Sequence, residues 1–265
     1  MSDQNVSVNV VNDGTFSLDP GAVFGLSPKN IWSKFAEPND LYRIKLNTNL
    51  TVIGEGAKFY LLDGGIGNSV SEYYAKWFEA KPTGDLERLK RNKEIENFEC
   101  IFHTHLHFDH SGHSFSDLSG TRSIASMEEI KNLRNPNELA RSSYFRLESV
   151  SMEKLEPIFN DTKFGNFNMS ITGGHTTGHT IIIYKNDKIK LIYGGDLFPS
   201  TFHLKPSRIT GIDQEPLKSL ETKKVLLKKA IKESYGLILS HDTVETIIIP
   251  KGEVDDPKYD RWEMP

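Results

Sequence analysis

Alternation of apolar and polar positions opens the chain. Residues 6–12 read Val-Ser-Val-Asn-Val-Val-Asn, which predicts a half-buried strand, and Asp13-Gly14 reads as the turn that ends it. Residues 16–32 are punctuated by glycine and proline yet carry Phe16, Leu18, Val23, Phe24, Leu26, Ile31 and Trp32. A segment so apolar and so broken is expected to pack over the core or the rim of a cleft. Residues 42–53 and 57–62 are strand-like runs joined at Gly54-Glu55-Gly56, a hairpin signature, and Asp63-Gly64-Gly65 stops the second run. Helical spacing follows at 69–80, through Tyr73, Trp77 and Phe78. It recurs at 85–96, where Leu86 and Leu89 are the inner contacts of a charged helix. Residues 98–102, Phe-Glu-Cys-Ile-Phe, read as a short, mostly buried strand.

The second half repeats this logic. Residues 120–167 are polar and read as mostly helical, with candidates at 127–133 and 137–147 and a break at Asn135-Pro136. Strands are expected at 168–172, 180–184 and 189–193, the last two joined at Asn186-Asp187. A lysine-rich surface helix is expected at 217–233, then short strands at 237–240 and 247–249. Two halves of strands with helices between and after them predict a layered α/β sandwich. No repeat, low-complexity tract or linker divides the chain, so residues 1–265 are expected to form a single domain.

Chemistry concentrates at residues 103–113, HTHLHFDHSGH, which hold five of the nine histidines. A strand ending in His105-x-His107 is expected to send both rings to one face, because side chains repeat every second residue. Asp109 and His110 follow, with Ser111-Gly112 available to start a helix. Imidazoles with a carboxylate are a ligand set suited to zinc, and no packing requirement asks for so many imidazoles in so short a stretch. Further candidates stand after predicted strands: His175 in a glycine-rich loop, Asp196 after Gly194-Gly195, and His241 after Ser240. With His105, His107, Asp109 and His110 they are enough for two metal ions sharing one bridge.

A formal net charge of −4, with 37% hydrophobic and 26% charged residues, describes an ordinary globular protein. It argues against nucleic acid or an anionic membrane as the main partner. The lone Cys100 excludes an intramolecular disulfide and sits in an apolar run as a structural thiol. The N-terminal residues lack the basic start and apolar stretch of a signal peptide, and no segment has the length of a membrane-spanning helix. A cytoplasmic enzyme acting on a small molecule is the expectation, and a homodimer is admitted.

Thr104-His-Leu-His-Phe-Asp-His110, Gly174-His-Thr-Thr-Gly-His179, Gly194-Gly-Asp196 and Ser240-His-Asp242 together resemble the metallo-β-lactamase-fold hydrolase superfamily, across roughly residues 40–245. The resemblance implies a four-layer αββα sandwich with two divalent metal ions, Zn2+ above all. It assigns His105, His107 and His175 to one ion, Asp109, His110 and His241 to the other, and Asp196 to both. Gly21-Ala-Val-Phe-Gly25, Arg43-Ile44, Arg141-Ser-Ser-Tyr144 and Asp196-Leu-Phe-Pro-Ser-Thr-Phe-His203 look like the quorum-quenching branch that opens N-acyl homoserine lactones. Pro199 stands where some of those lactonases carry a tyrosine, and His113 where a glycine is common.

The implied activity is hydrolysis of a lactone or related ester by a hydroxide shared between the metals, with Asp109 orienting it or passing a proton to the leaving group. Rivals on the same centre are a phosphotriesterase or a thioesterase of the glyoxalase II type. A di-iron oxidoreductase ranks lower, since His107 occupies a position where that class carries a carboxylate. Phe24, Tyr144, Phe202 and His203 are the candidates for an acyl pocket. Asp63 is either an acceptor behind a ligand histidine or a plain turn residue. His103 is expected behind the ligands, His179 bonded within its own loop, and His113 at the surface.

Overall fold

The computed structural model describes residues 5–68 and 70–265. Residues 1–4, on which the signal-peptide reading rests, and residue 69, first of the helix expected at 69–80, lie outside the described residues. The chain divides into two compact units, one of residues up to Phe16 with Asn47–Phe159, the other of Ser17–Leu46 with Asn160–Pro265.

The first sheet contains β1 (Val6–Leu18), β2 (Ile44–Glu55), β3 (Lys58–Leu62), β4 (Lys81–Pro82), β5 (Cys100–Phe102), β6 (Ser123–Ser126) and β7 (Leu155–Ile158). They lie in the order β4-β1-β2-β3-β5-β6-β7. The expected hairpin pairs β2 with β3 antiparallel, whereas β3, β5, β6 and β7 run parallel. Parallel strands end at one edge, so the residues after β3 and after β5 emerge side by side. Short helices α1 (Pro20–Phe24) and α2 (Lys29–Trp32) form in the broken apolar segment, while α3 (Glu72–Trp77) and α4 (Asp85–Asn92) separate β3 from β5. Leu86 of α4 is buried with Leu50, Val52, Leu61, Phe98 and Ile101, as its spacing requires. Helices α5 (Phe108–Ser111) and α6 (Met127–Arg134) follow β5 and β6.

The second sheet contains β8 (Thr162–Phe164), β9 (Phe167–Ile171), β10 (Thr180–Lys185), β11 (Lys190–Tyr193), β12 (Gly236–Ile238), β13 (Ile247–Glu253) and β14 (Asp256–Arg261), adjacent in sequence order. Only β11 and β12 pair in parallel, joined by the long helix α7 (Pro216–Glu233). Because β9 and β11 are both antiparallel to β10, the strands β9, β11 and β12 all point the same way. Their C-terminal ends share an edge, and that edge carries the loops of His175, Asp196 and His241. Leu226, Leu227 and Ala230 of α7 are buried with Ile192, Phe198 and Leu237. Each such side chain contributes roughly 1.5–3 kcal/mol when fully buried.

Several expectations change. Asp13-Gly14 is no turn: β1 runs through it. Asp13 is buried, its carboxylate accepting from the Ile66 and Gly67 amides, and a Cβ on Gly14 would lie 2.4 Å from Ile66. The dipeptide is therefore a point of close approach within a strand. In α3 the buried ring is Tyr74, stacked on Phe108, while Tyr73 and Trp77 are exposed. The helix expected at 137–147 is replaced by short 3-10 turns at Arg141–Ser143 and Leu147–Ser149. Strands β6, β7 and β8 stand where helix was expected, because their ladders compensate for polar sequences. The surface helix α7 turns one lysine inward: Lys223 is buried and donates to the Arg208 carbonyl at 2.5 Å. Burial lowers its amine to about 7.

His113, expected at the surface, is fully buried. Its Nε2 meets Asp13 Oδ1 at 2.8 Å and its Nδ1 meets Asp117 Oδ1 at 2.9 Å. Burial opposes the charge, but the hydrogen bonds to Asp117 and Asp13 outweigh it and raise the imidazole to about 9 from 6.5. A raised folded-state value adds stability that is fully present below the unfolded value and is lost as pH climbs through the folded one. Urea unfolding of the chelated protein should therefore lose about 3 kcal/mol between about pH 6 and about pH 10 relative to His113→Gln. Equal pH dependence in the two proteins would refute the charged state.

Candidate metal centre

In the first unit the ligand loop begins where β5 ends at Phe102, so the strand stops before the His-x-His pair instead of running into it. The rings still meet. His105 and His107 stand edge to face with centroids 4.5 Å apart, and His105 lies 4.1 Å from His110. Loop geometry, not strand pleat, brings them together. His107 caps α5, so the helix starts at Phe108, three residues before the expected Ser111, and carries Asp109 and His110 in its single turn. His105, His107, Asp109 and His110 are all buried.

Asp63, just after β3, organises this loop. It adopts a left-handed conformation, φ 62°, uncommon outside glycine. Its Oδ1 accepts from the Thr104 amide at 2.6 Å and its Oδ2 from the Thr104 hydroxyl at 2.8 Å. The same Oδ2 lies 2.7 Å from His110 Nδ1. His105 Nδ1 in turn lies 3.0 Å from Thr104 Oγ1. With the hydroxyl proton committed to Asp63, the hydroxyl oxygen accepts from His105. Both rings are thereby protonated at Nδ1 and present the Nε2 lone pair, the state a metal ligand needs. Of the two readings of Asp63, the acceptor behind the ligands is the one the geometry supports. His103 bonds the His110 carbonyl through Nδ1 and Ser114 through Nε2, behind the same loop.

In the second unit His175 sits in a loop entered through Gly173 and Gly174, at φ 62° and 104°, where a Cβ on Gly174 would press 2.7 Å from Ser219. Its Nδ1 lies 2.9 Å from Asp213 Oδ1, and its Nε2 lies 3.4 Å from Asp196 Oδ2. Burial disfavours a charged Asp213, but hydrogen bonds from His175 and Thr210 outweigh it and hold the carboxyl below its usual range. His241 Nε2 lies 2.9 Å from the other oxygen of Asp196, which also accepts from Ser240 Oγ at 3.1 Å. Asp242 braces this arrangement, accepting from Thr201 on one oxygen and from the amides of Val244 and Glu245 on the other. His179 bonds within its own loop, to Thr172, as expected.

Each unit thus presents a buried imidazole–carboxylate group, and in the second, two imidazole nitrogens address the two oxygens of one carboxylate. That donor chemistry fits divalent cations of the zinc type. Sequence reasoning missed Asp213 and Glu129. The first lies 38 residues from His175, and the second binds the Leu106 amide and the Tyr144 hydroxyl. Neither lies in a motif, so only the folded chain exposes them.

The proposed pocket residues are all buried. Tyr144 packs its ring 4.7 Å from His107 and lines a cavity of about 840 Å³ within the first unit, together with Tyr73, Tyr74, Phe115, Arg141 and Phe145. Phe24 is stacked between Trp32 and Phe202. His203 lies 2.8 Å from both the Val23 carbonyl and Ser200 Oγ, and burial drives it down to about 3, leaving it neutral.

The Metallo-beta-lactamase superfamily pattern matches residues 43–234, well over half the chain, and the chain belongs to that superfamily. Its two mixed sheets with helices are that fold, the α/β sandwich the sequence predicted. A probable metal-dependent hydrolase from Staphylococcus aureus superposes with TM-score 0.88 at 25% identity, covering 99% of both chains. A probable metallo-hydrolase from Methanocaldococcus jannaschii is 30% identical over 118 residues, 43% of this chain; the match spans 55% of that relative, about half its length. AidC, described as a dizinc quorum-quenching lactonase in complex with a product homoserine, has TM-score 0.74 at 18% identity over 98% of this chain and 95% of its own. Among the described residues, no helix is long and apolar enough to cross a membrane.

Proposed function

We propose that this chain, working as one hydrolase domain, opens a lactone or related small ester at a dinuclear metal centre. The observation that carries this reading is Asp196, whose two oxygens are addressed by His175 and His241 as a shared carboxylate ligand would be. We assign His105, His107 and His175 to one ion, Asp109, His110 and His241 to the other, and Asp196 to both. When bound, two Zn2+ ions supply an acidified water and a Lewis acid for the substrate oxygen. Asp63 and Asp213 hold ligand rings in the lone-pair tautomer, and Asp109 carries a proton toward the departing alkoxide. The cavity beside Tyr144 has the volume of a small-molecule site and an aromatic lining suited to an acyl chain. Phe24, Phe202 and His203 would then act from behind the wall, as packing that sets its shape. The likeness to AidC supports a lactone over other esters.

A panel of acyl lactones, aryl esters, phosphotriesters and glutathione thioesters, assayed with metal content measured, tests the reading. Lactones should give the highest kcat/KM, with activity lost on chelation and restored by zinc. A phosphotriester or thioester preferred by more than about tenfold, a difference of about 1.4 kcal/mol in transition-state binding, would overturn it.

A further inference from the structure

We propose that the His113 imidazolium, clamped between Asp13 and Asp117, is a positioning strut for the metal-binding loop. It holds residues 64–67 in place and, through Asp63, sets the direction and tautomer of His110; the inference rests on reading His110 as a ligand. The connections can be followed bond by bond. Asp13 Oδ1 meets His113 Nε2 at 2.8 Å, while its Oδ2 accepts from the Ile66 amide at 2.8 Å and the Gly67 amide at 3.3 Å. The far side of the ring is held by both oxygens of Asp117, at 2.9 and 3.0 Å. An imidazole with a carboxylate on each nitrogen donates from both, so it is the charged form that fits between them.

Backbone hydrogen bonds extend the clamp to the ligand loop. The His113 amide donates to the Gly64 carbonyl and the Gly112 amide to that of Gly65, both at 2.8 Å, while the Gly64 amide donates to the His110 carbonyl at 2.6 Å. The packing leaves no slack: a Cβ on Gly65 would lie 2.3 Å from Asp13 Oδ2, and one on Gly112 only 2.2 Å from the Ile66 backbone. Asp63 directly precedes this segment in its left-handed conformation, which a non-glycine residue keeps only when its surroundings impose it. The strut is a pairing of distant parts: His113 lies 100 residues from Asp13.

The test uses the full chain and two readouts, zinc affinity by chelator competition and the ring nitrogen shifts of His110 in the metal-free protein. Wild type should show His110 protonated at Nδ1. His113→Gln, checked as folded by near-ultraviolet circular dichroism, should weaken zinc binding about 10- to 100-fold, the usual effect of losing an outer support. It should also mix the His110 tautomers, which a purely structural role would not do. If that variant does not fold, Asp117→Asn removes only the half-exposed arm and should still weaken binding severalfold. A folded variant with wild-type affinity and an unchanged His110 signal overturns the strut. His110→Ala separates the two readings: if it leaves zinc binding intact, the ligand assignment fails first. If it abolishes binding while His113→Gln does not, the strut alone fails.

Discussion

Asp196→Ala chains should bind less than one metal ion where the wild-type chain binds about two, as a two-metal hydrolase requires. The carboxylate faces His175 Nε2 with one oxygen and His241 Nε2 with the other, so its removal withdraws a ligand from both ions at once. The metal-free fold should change little. Ser240 Oγ keeps the Gly195 carbonyl as a partner, and a single lost hydrogen bond costs roughly 1 kcal/mol. The difference should appear on adding zinc, which at a thousandfold excess over Kd stabilises a binding-competent chain by about 4 kcal/mol. The melting temperature of wild type should rise with zinc while that of Asp196→Ala stays flat. His175→Ala, which touches one ion, should retain about one equivalent. Elemental analysis finding two ions on Asp196→Ala would remove the shared-ligand assignment.

Asp109→Asn should lower kcat by about 10²- to 10⁴-fold at saturating zinc while changing KM much less, the range expected when a positioned proton carrier is lost. Asp109 is buried on the single turn of α5, its Oδ2 3.7 Å from His110 Nε2. Asparagine preserves the shape of the group but can neither accept the proton nor offer a full charge to the metal. Metal content and circular dichroism measured on the same sample separate loss of proton transfer from loss of the centre. A kcat within about threefold of wild type, with two metals bound, would mean that Asp109 is a ligand and carries no proton in the reaction.

Much of the site was legible in the chain because its groups sit in short local motifs. A strand, a tight loop and a ligand need only about ten consecutive residues, and His105, His107, Asp109, His110, His175, Asp196 and His241 all stand in such units. Strands with a clear apolar run were equally readable, since burial on a pleated surface writes itself as period two or as a continuous apolar stretch; β2, β3, β10 and β11 are of this kind. Strand β6 was not, because Ser-Ile-Ala-Ser has no such signature and is made a strand by its partners on either side.

What only the tertiary structure decided is how each ligand is held. Asp13 with His113, Asp63 with His110 and Asp213 with His175 are separated by 100, 47 and 38 residues. In the sequence Asp13 beside a glycine reads as a turn and His113 as a surface residue, since the local signal for a buried ion pair is the same as that for two solvated charges. Burial separates the cases. Once a carboxylate is withdrawn from water it must find donors, and which donors lie within reach is set by the crossing of strands and loops far apart along the chain.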